Sequence, residues 1–416
     1  MRWACASLAL SACVFWQAVA QAEPITPRSD AEVVETLPRL SGAAGTPLRR
    51  ARQAFSRNPS NANLAAQLAS HYLELARSWG EPRYAGLGLG VLQAWQHDPK
   101  APAELQLLLA TLEQHLHDFD RAAQRLEALL ASHPKHEQAW LTLATIRRVQ
   151  GNYLKSDAAC KALLRTQAAW YGKVCLAENQ GLRGQYKTAK ATLTQLASMD
   201  RLQASQRAWV FVSLAELTER QTPLASEALV RWRAALAADD SQETNAQPPQ
   251  GGFAALWGGA GYSAPWGRSS PALLGLADCL LLQRRYAQAF ALLQTQPRTD
   301  AVLLRRAMAI RLGQLPDPRH DIDELHERMA QATQRPDMAA THGREMAFYA
   351  LWVQGDAVRA LAFAQQNVKA QREPIDLLLL AQAAQAAGQS PDTAQALARE
   401  LGLVDARLLS PRQLKV

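Results

Sequence analysis

Charge is scarce in this sequence: Asp, Glu, Lys and Arg make up only 20% of its 416 residues, too few for a highly charged disordered chain. The 45 basic residues outnumber the 37 acidic ones. They are scattered, as at Arg49, Arg50, Arg147, Arg148, Arg284, Arg285, Arg305 and Arg306. No dense basic run exists to serve as a nucleic-acid arm, and the modest excess suits an acidic protein partner better. β-Branched residues are sparse. Cysteines number five and have no zinc-site spacing. There is no G-x-S-x-G elbow, H-E-x-x-H, C-x-x-C or phosphate-binding loop. The Gly86-Leu87-Gly88-Leu89-Gly90 run lacks the Lys-Ser/Thr and the flanking strand that a nucleotide loop needs. No cofactor, metal site or enzyme class is indicated. What the chain has in abundance is Ala, Leu, Gln and Arg, which lose little side-chain entropy in helices. The expected fold class is all-α.

The N-terminus carries a targeting pattern. Arg2 precedes an apolar stretch from Trp3 to Val19, and small residues follow at Ala18, Ala20 and Ala22. That is the form of a secretory signal peptide over residues 1–22, too short to span a membrane and ending in a small-residue cleavage site. Leu10-Ser11-Ala12-Cys13 matches a bacterial lipobox, so a lipid anchor at Cys13 is the alternative to ordinary cleavage near Ala20 or Ala22. Either outcome places the mature chain in the periplasm or outside the cell. There Cys160 and Cys175, on consecutive helices, form the candidate disulfide pair; two small buried residues is the alternative reading.

Self-similarity dominates the rest. Residues 103–136 read as two helices, with a polar turn at His117-Asp118 and a closing Pro134. Ala110, Phe119 and Ala122 stand where tetratricopeptide (TPR) repeats place small residues and an aromatic. Ala144, Gly151, Tyr153 and Ser156 repeat the pattern, as do Ala177, Gly184, Tyr186 and Ala189. The positions 110, 144 and 177 are 34 and 33 residues apart, the TPR period. The expectation is a right-handed solenoid of about seven to eight helix-turn-helix repeats. A regular array occupies 61–238, and a more degenerate one 272–416. The helix over Asp321–Gln334 fits no repeat. Residues 23–60, punctuated by Pro24, Pro27, Pro38, Gly42 and Gly45, read as a flexible leader. A Gly/Trp-rich insertion loop at 239–271 breaks the register with Trp257, Tyr262 and Trp266.

Three stretches resemble a family of exported bacterial TPR proteins: Tyr72–Tyr84 (YLELARSWGEPRY), Leu116–Leu126 (LHDFDRAAQRL) and Asn367–Asp376 (NVKAQREPID). The likeness runs from about Leu64 to the C-terminus. It implies an all-helical exported repeat protein and carries no reaction and no catalytic residues with it; the insertion departs from it.

Two titratable clusters deserve a chemical reading. His115 and His117 lie at one end of a helical pair and His133 and His136 at the other, roughly 20 Å away by helical rise, so they share no site. His320, Asp323, Glu324 and Glu327 fall near one helix face, where a metal site or a mixed-charge surface would use the same residues. The reading that register favours is a protein or peptide held in the concave groove lined by the first helix of each hairpin. Its lining would comprise Thr111, Gln114, Gln138, Leu141, Thr145, Arg148, Glu178 and Arg220, with Arg148 placed for a bidentate carboxylate contact. A structural subunit binding through the convex face is the alternative, and a metal-dependent enzyme a third.

Overall fold

The computed structural model describes residues 45–79, 82–200, 202–243, 271–333 and 342–409, together with Ser29. The signal segment, Cys13 and the middle of the 239–271 insertion lie outside these residues. All regular structure among them is helical.

The helices are α1 (Gly45–Arg57), α2 (Ala62–Trp79), α3 (Pro82–Val91), α4 (Ala103–His115), α5 (Phe119–Ser132), α6 (Glu137–Val149) and α7 (Tyr153–Leu163). Then come α8 (Ala169–Leu182), α9 (Tyr186–Ala197), α10 (Ala204–Gln221), α11 (Ser226–Glu243), α12 (Pro271–Leu282) and α13 (Tyr286–Leu293). The last are α14 (Asp300–Gly313), α15 (Asp321–Thr333), α16 (Gly343–Phe348), α17 (Ala357–Asn367), α18 (Pro374–Ala386), α19 (Asp392–Leu401) and α20 (Ala406–Leu409). A π-helical turn, Tyr349–Gln354, continues α16.

From α2–α3 to α18–α19 these helices pair as successive antiparallel hairpins, and the first helices of successive hairpins also touch one another, from α2 through to α18. The chain is therefore a solenoid with an inner row of first helices and an outer row of second helices. Burial separates the two rows. In α4 every residue from Leu107 to His115 is buried, whereas α5 buries only Phe119, Ala122, Ala123, Leu126, Leu129 and Leu130. The latter is the one-sided stripe of a helix with a solvent face.

The repeat signature has a local cause. His117, Gly151, Gly184, Arg284 and Gly355 each take a positive φ at the turn between the two helices of a hairpin. The next residue then starts the second helix, with Asp118, Asn152 and Asp356 accepting hydrogen bonds from the backbone N–H three residues on. Ala110, Ala144 and Ala177 are essentially inaccessible, as are Ala122, Ser156 and Ala189 opposite them. Helices cross there too closely for larger side chains. Ser156 is tolerated because its hydroxyl donates to Ala144 O at 2.8 Å and accepts from Asn179 Nδ2 at 2.9 Å.

Two expectations need revision. Residues 45–57 of the leader form α1, because Leu48, Ala51 and Phe55 recur at helical spacing and pack on α2. The helix starting at Asp321 is not outside the array: it packs on α14. Asp321, fully buried, forms an ion pair with the equally buried Arg306. Cys160 of α7 and Cys175 of α8 are joined by a disulfide, with Cα atoms 5.8 Å apart.

The C-terminal hairpins fold back onto the inner row. Arg372 N donates to Val149 O at 2.7 Å, and Val404 N donates to Leu182 O at 2.8 Å. These carbonyls end α6 and α8, where helices leave acceptors unused. Tyr186 Oη donates to Val404 O, Gln371 meets His117 Nδ1 at 3.1 Å, and Arg407 pairs with Glu219 of α10. Tyr153 and Leu182 belong to the same apolar cluster as α18.

Candidate functional site

The residues predicted from register to line the groove are closed off, by packing within the inner row and, at its C-terminal ends, by the returning hairpins. Thr111, Gln114, Gln138, Leu141, Thr145, Arg148, Glu178 and Arg220 all lie on inner helices as the repeat period places them. None is more than 9% exposed. Thr111 and Thr145 turn their hydroxyls onto carbonyls one helical turn back, at Leu107 and Leu141. Gln138 reaches Thr142, and Leu141 packs with Leu163 and Ala168.

Arg148 does not project into an open channel. It forms a buried ion pair with Glu178 on the next inner helix. Burial works against its charge, but Glu178, Glu373 and Glu216 together hold the guanidinium above its ordinary value. The other oxygen of Glu178 accepts from Trp209 Nε1 at 2.8 Å and Ser213 Oγ at 2.7 Å. So the strongest pair of the predicted groove is satisfied by the chain itself.

A small polar cavity lies where the inner row meets the C-terminal hairpins. Arg148, Tyr153, Glu178, Leu182, Glu216 and Arg220 line it from α6, α7, α8 and α10, and Glu373 and Pro374 close it from the start of α18. Its room is on the order of one or two water molecules. Register predicted Arg148, Glu178 and Arg220. In the repeat pattern Tyr153 is only the aromatic that opens a second helix, and nothing in the pattern marks Glu216, one turn before Arg220. Glu373 lies within the resemblance stretch Asn367–Asp376, but nothing local signals that it returns to α6. Burial pushes the Glu216 carboxyl up to about 8, with Arg220 working the other way.

A second cluster anchors the returning hairpins. Arg344 of α16 donates through Nε to Asp376 at 2.6 Å and through Nη2 to Glu373 at 2.7 Å and Gln371 at 3.0 Å. Asn367 Nδ2 donates to the same Asp376 carboxylate at 2.7 Å. Nearby, burial pushes Glu345 up to about 7.

The histidine and carboxylate clusters separate as follows. His115 is buried, and burial, with Arg77, His117 and His342, pushes it down to about 3. His320 and Asp323 are both exposed, 3.3 Å apart. Glu324 and Asp321 are taken by Arg298, and Glu324 also by Arg328. Among the described residues, no group of His, Cys, Asp and Glu is arranged to hold a metal, and no helix is long and apolar enough to cross a membrane.

Among solved structures, the chain is similar to a TPR protein from Parabacteroides merdae. Identity is 13% over 68% of this chain and 91% of that one, with a TM-score of 0.40. It is also similar to a chain of the APC/C hetero-tetramer Cut9–Hcn1, with 13% identity over 81% of this chain and a TM-score of 0.39; it spans 52% of that chain. The TPR domain of P58(IPK) matches with 14% identity over 86% of this chain and 94% of that one, at a TM-score of 0.21. No family model and no curated protein matches the sequence.

Proposed function

We propose that this chain is a non-catalytic protein-binding scaffold that presents its outer row of helices to its partner, its inner face being occupied by its own C-terminal hairpins. One observation carries this reading. The large apolar side chains that stand exposed among the described residues are Leu87, Leu154, Leu164, Met199, Leu224, Val230, Val358 and Val404. All but Val404, which lies at the seam, sit on second helices or their immediate flanks, whereas every predicted groove residue is buried. On α7, Leu154 is 78% exposed, and Lys155 and Lys161 are exposed around it. An apolar side chain flanked by two lysines on one helix suits an acidic protein surface.

The competing reading keeps the concave groove and requires the C-terminal hairpins to leave it. The seam's polar character favours it, since interfaces that open are more polar than permanent ones. A lock separates the two. A Cβ at Gly151 would stand 3.4 Å from Cβ of Arg372, close to the roughly 3.5–4.5 Å of a disulfide. The Gly151→Cys/Arg372→Cys protein, oxidised and reduced, would be compared in a pull-down from native envelope after mild cross-linking, so that any cost of a side chain at position 151 is common to both. Partners retained by the locked protein and lost on Leu154→Asp/Lys155→Glu support the outer face. Partners lost only on locking would move the site to the groove.

We further infer that the protein works outside the cytoplasm. The N-terminal pattern of residues 1–22 and the Cys160–Cys175 bond both support this. Cell fractionation with N-terminal sequencing of the mature chain tests it, and cytoplasmic protein beginning at Met1 would exclude it.

A further inference from the structure

A histidine nitrogen whose partner can only donate must carry a lone pair, and the seam between the inner row and the C-terminal hairpins holds such a histidine. The direction of each hydrogen bond there follows from its neighbours. The buried Asp376 carboxylate, held by Arg344, accepts, so Asn367 turns its Nδ2 towards it at 2.7 Å. The Asn367 oxygen then faces Gln371 Nε2 at 3.3 Å. A guanidinium only donates, so Gln371 turns its own oxygen to Arg344 Nη2 at 3.0 Å. Both neighbours fix the Gln371 amide the same way. Its Nε2 is therefore the atom that meets His117 Nδ1, 254 positions away, at 3.1 Å. That nitrogen donates, so His117 is neutral in the closed seam and carries its proton on Nε2.

Protonation would set one N–H against another. Gln371 cannot turn over to offer its oxygen, because its NH2 would then face the Arg344 guanidinium and its oxygen the oxygen of Asn367. Turning the imidazole over presents Cδ2, which accepts nothing. The ring plane is held by stacking on Phe119, with centroids 5.4 Å apart and planes 16° from parallel. The charges around it come from every side of the seam. Arg77 of α2, His117 and His342, which precedes α16, all disfavour charge on His115, so these four basic side chains gather at one place. The nearby carboxylates have cationic partners: Glu74 beside Arg77, Glu113 with Arg125, Asp118 with Arg121, and Glu373 and Asp376 with Arg344.

We propose that His117 and Gln371 form an acid-sensitive latch, which holds the C-terminal hairpins against the inner row at neutral pH and loosens when His117 takes up a proton. The sign follows from the bond. The closed seam favours neutral His117, so the contact contributes fully above the ordinary histidine value of about 6.5 and is lost as pH falls below it. The loosening passes directly to the next residue, since the N–H of Arg372 donates to Val149 O at 2.7 Å. The latch is independent of which face binds a protein partner.

The test follows hydrogen exchange at the Arg372 amide of the full-length protein between about pH 7.5 and 5, each rate divided by its intrinsic value at that pH. One lost hydrogen bond corresponds to about a tenfold weaker proton affinity of His117 in the closed seam. Corrected exchange should then speed up about five- to tenfold by the acid end of the range. His117→Asn places an oxygen where Nδ1 stands and suits the left-handed backbone here, with φ of 62°. It keeps an acceptor but cannot titrate, so its acid response should be smaller than that of wild type by the same factor. His115 is common to both proteins and drops out of the difference. NMR of protein carrying 13Cε1-labelled histidine reads His117 directly. In wild type it should bind its proton less readily than an exposed histidine, and in Gln371→Glu, which offers it a carboxylate, more readily. Equal acid responses of wild type and His117→Asn would overturn the proposal. So would a His117 that in folded wild type binds its proton as readily as an exposed histidine.

Discussion

The central repeats and the C-terminal hairpins are built from the same helical pairs, but the second region relies more heavily on buried charge. Between α4 and α9 the helices meet through small residues, Ala110 against Ala122 and Ala177 against Ala189, all inaccessible. The C-terminal third keeps small residues at these crossings, as at Ala277 and Ala289, and adds a denser set of buried ion pairs: Arg306 with Asp321, Arg344 with Asp376 and Glu373, and Arg407 with Asp405 and Glu219. Close packing of small residues is insensitive to pH and leaves a periodic trace in the sequence. Ion pairs leave no period, and their contribution depends on every partner being present. The comparison teaches that the degenerate half is no less determined; its determinants are pairs of distant residues.

The largest effect should come from breaking the Arg344 cluster. Removing one member of a buried pair strands the other, at a cost of about 3–5 kcal/mol. Arg344→Met should therefore unfold the C-terminal hairpins well before the central array, seen as a separate low transition in urea followed by near-UV circular dichroism. Arg344→Met combined with Asp376→Leu and Glu373→Gln should recover much of that loss, since neither carboxylate that Arg344 holds is then stranded. If the single substitution proved as mild as a surface change, charge would not be what holds this region.

In the central array the corresponding covalent test is reduction of Cys160–Cys175. Closing a loop with a sequence separation of 15 is worth about 3 kcal/mol in the chain-entropy model. Reduction should lower the transition of the central repeats and leave that of the C-terminal hairpins in place. A shift of both together would mean that the two regions unfold as one unit.

Titration sharpens the contrast, because the two regions should respond to pH in opposite directions. His115, on α4, is pushed down to about 3. In the unfolded chain it binds a proton below its ordinary value of about 6.5, so its contribution favours folding near neutrality and is lost as pH falls from about 6.5 towards 3. Glu345, on α16, is pushed up to about 7. Between its ordinary value and 7 the folded chain keeps a proton that the unfolded chain has released, so stability declines as pH rises through that window. Glu345→Gln should flatten the decline by on the order of 1–3 kcal/mol, at about 1.4 kcal/mol per pKa unit. His115→Gln should flatten the acid limb. The measurement is urea stability from pH 4 to 8 for wild type and both variants. An unchanged profile in Glu345→Gln would show that the carboxyl is charged in the fold.

How much of this was legible follows from the same distinction. The repeat period is readable because Ala110, Ala144 and Ala177 must be small for a reason that recurs in each unit. Arg148 and Glu178, which face each other 30 positions apart, could be placed on the inner row by register alone. Whether that row is open could not be read. Closure rests on Gln371 with His117, 254 positions apart, and on Tyr186 with Val404, 218 apart, contacts with no periodic signal. Local pattern reports which face of a helix is special, not which distant segment covers it. The α1 helix escapes the sequence reading for a different reason: Gly45 reads as the last of the leader's breakers, yet it opens the helix, and Pro47 sits in the first turn, where a missing N–H costs nothing.

The smallest expected effect is also the most discriminating for the seam. Gly151 and Gly355 occupy the same turn position in different hairpins, with φ of 77° and 74°. Alanine at either must adopt a left-handed conformation, at a cost of roughly 1 kcal/mol. Beyond that the sites differ. A Cβ at Gly355 meets nothing within 4 Å, whereas at Gly151 it would stand 2.8 Å from Leu401 Cδ2 and 3.4 Å from Arg372 Cβ. Gly355→Ala should therefore cost only the backbone term. Gly151→Ala should cost more, by up to about 1–3 kcal/mol for overpacking, and the excess should appear as faster amide exchange at Arg372, whose N–H donates to Val149 O. Equal costs, with exchange at Arg372 unchanged, would mean that the C-terminal hairpins yield at this contact, and the returning segment would then be a loosely held cover over the inner row.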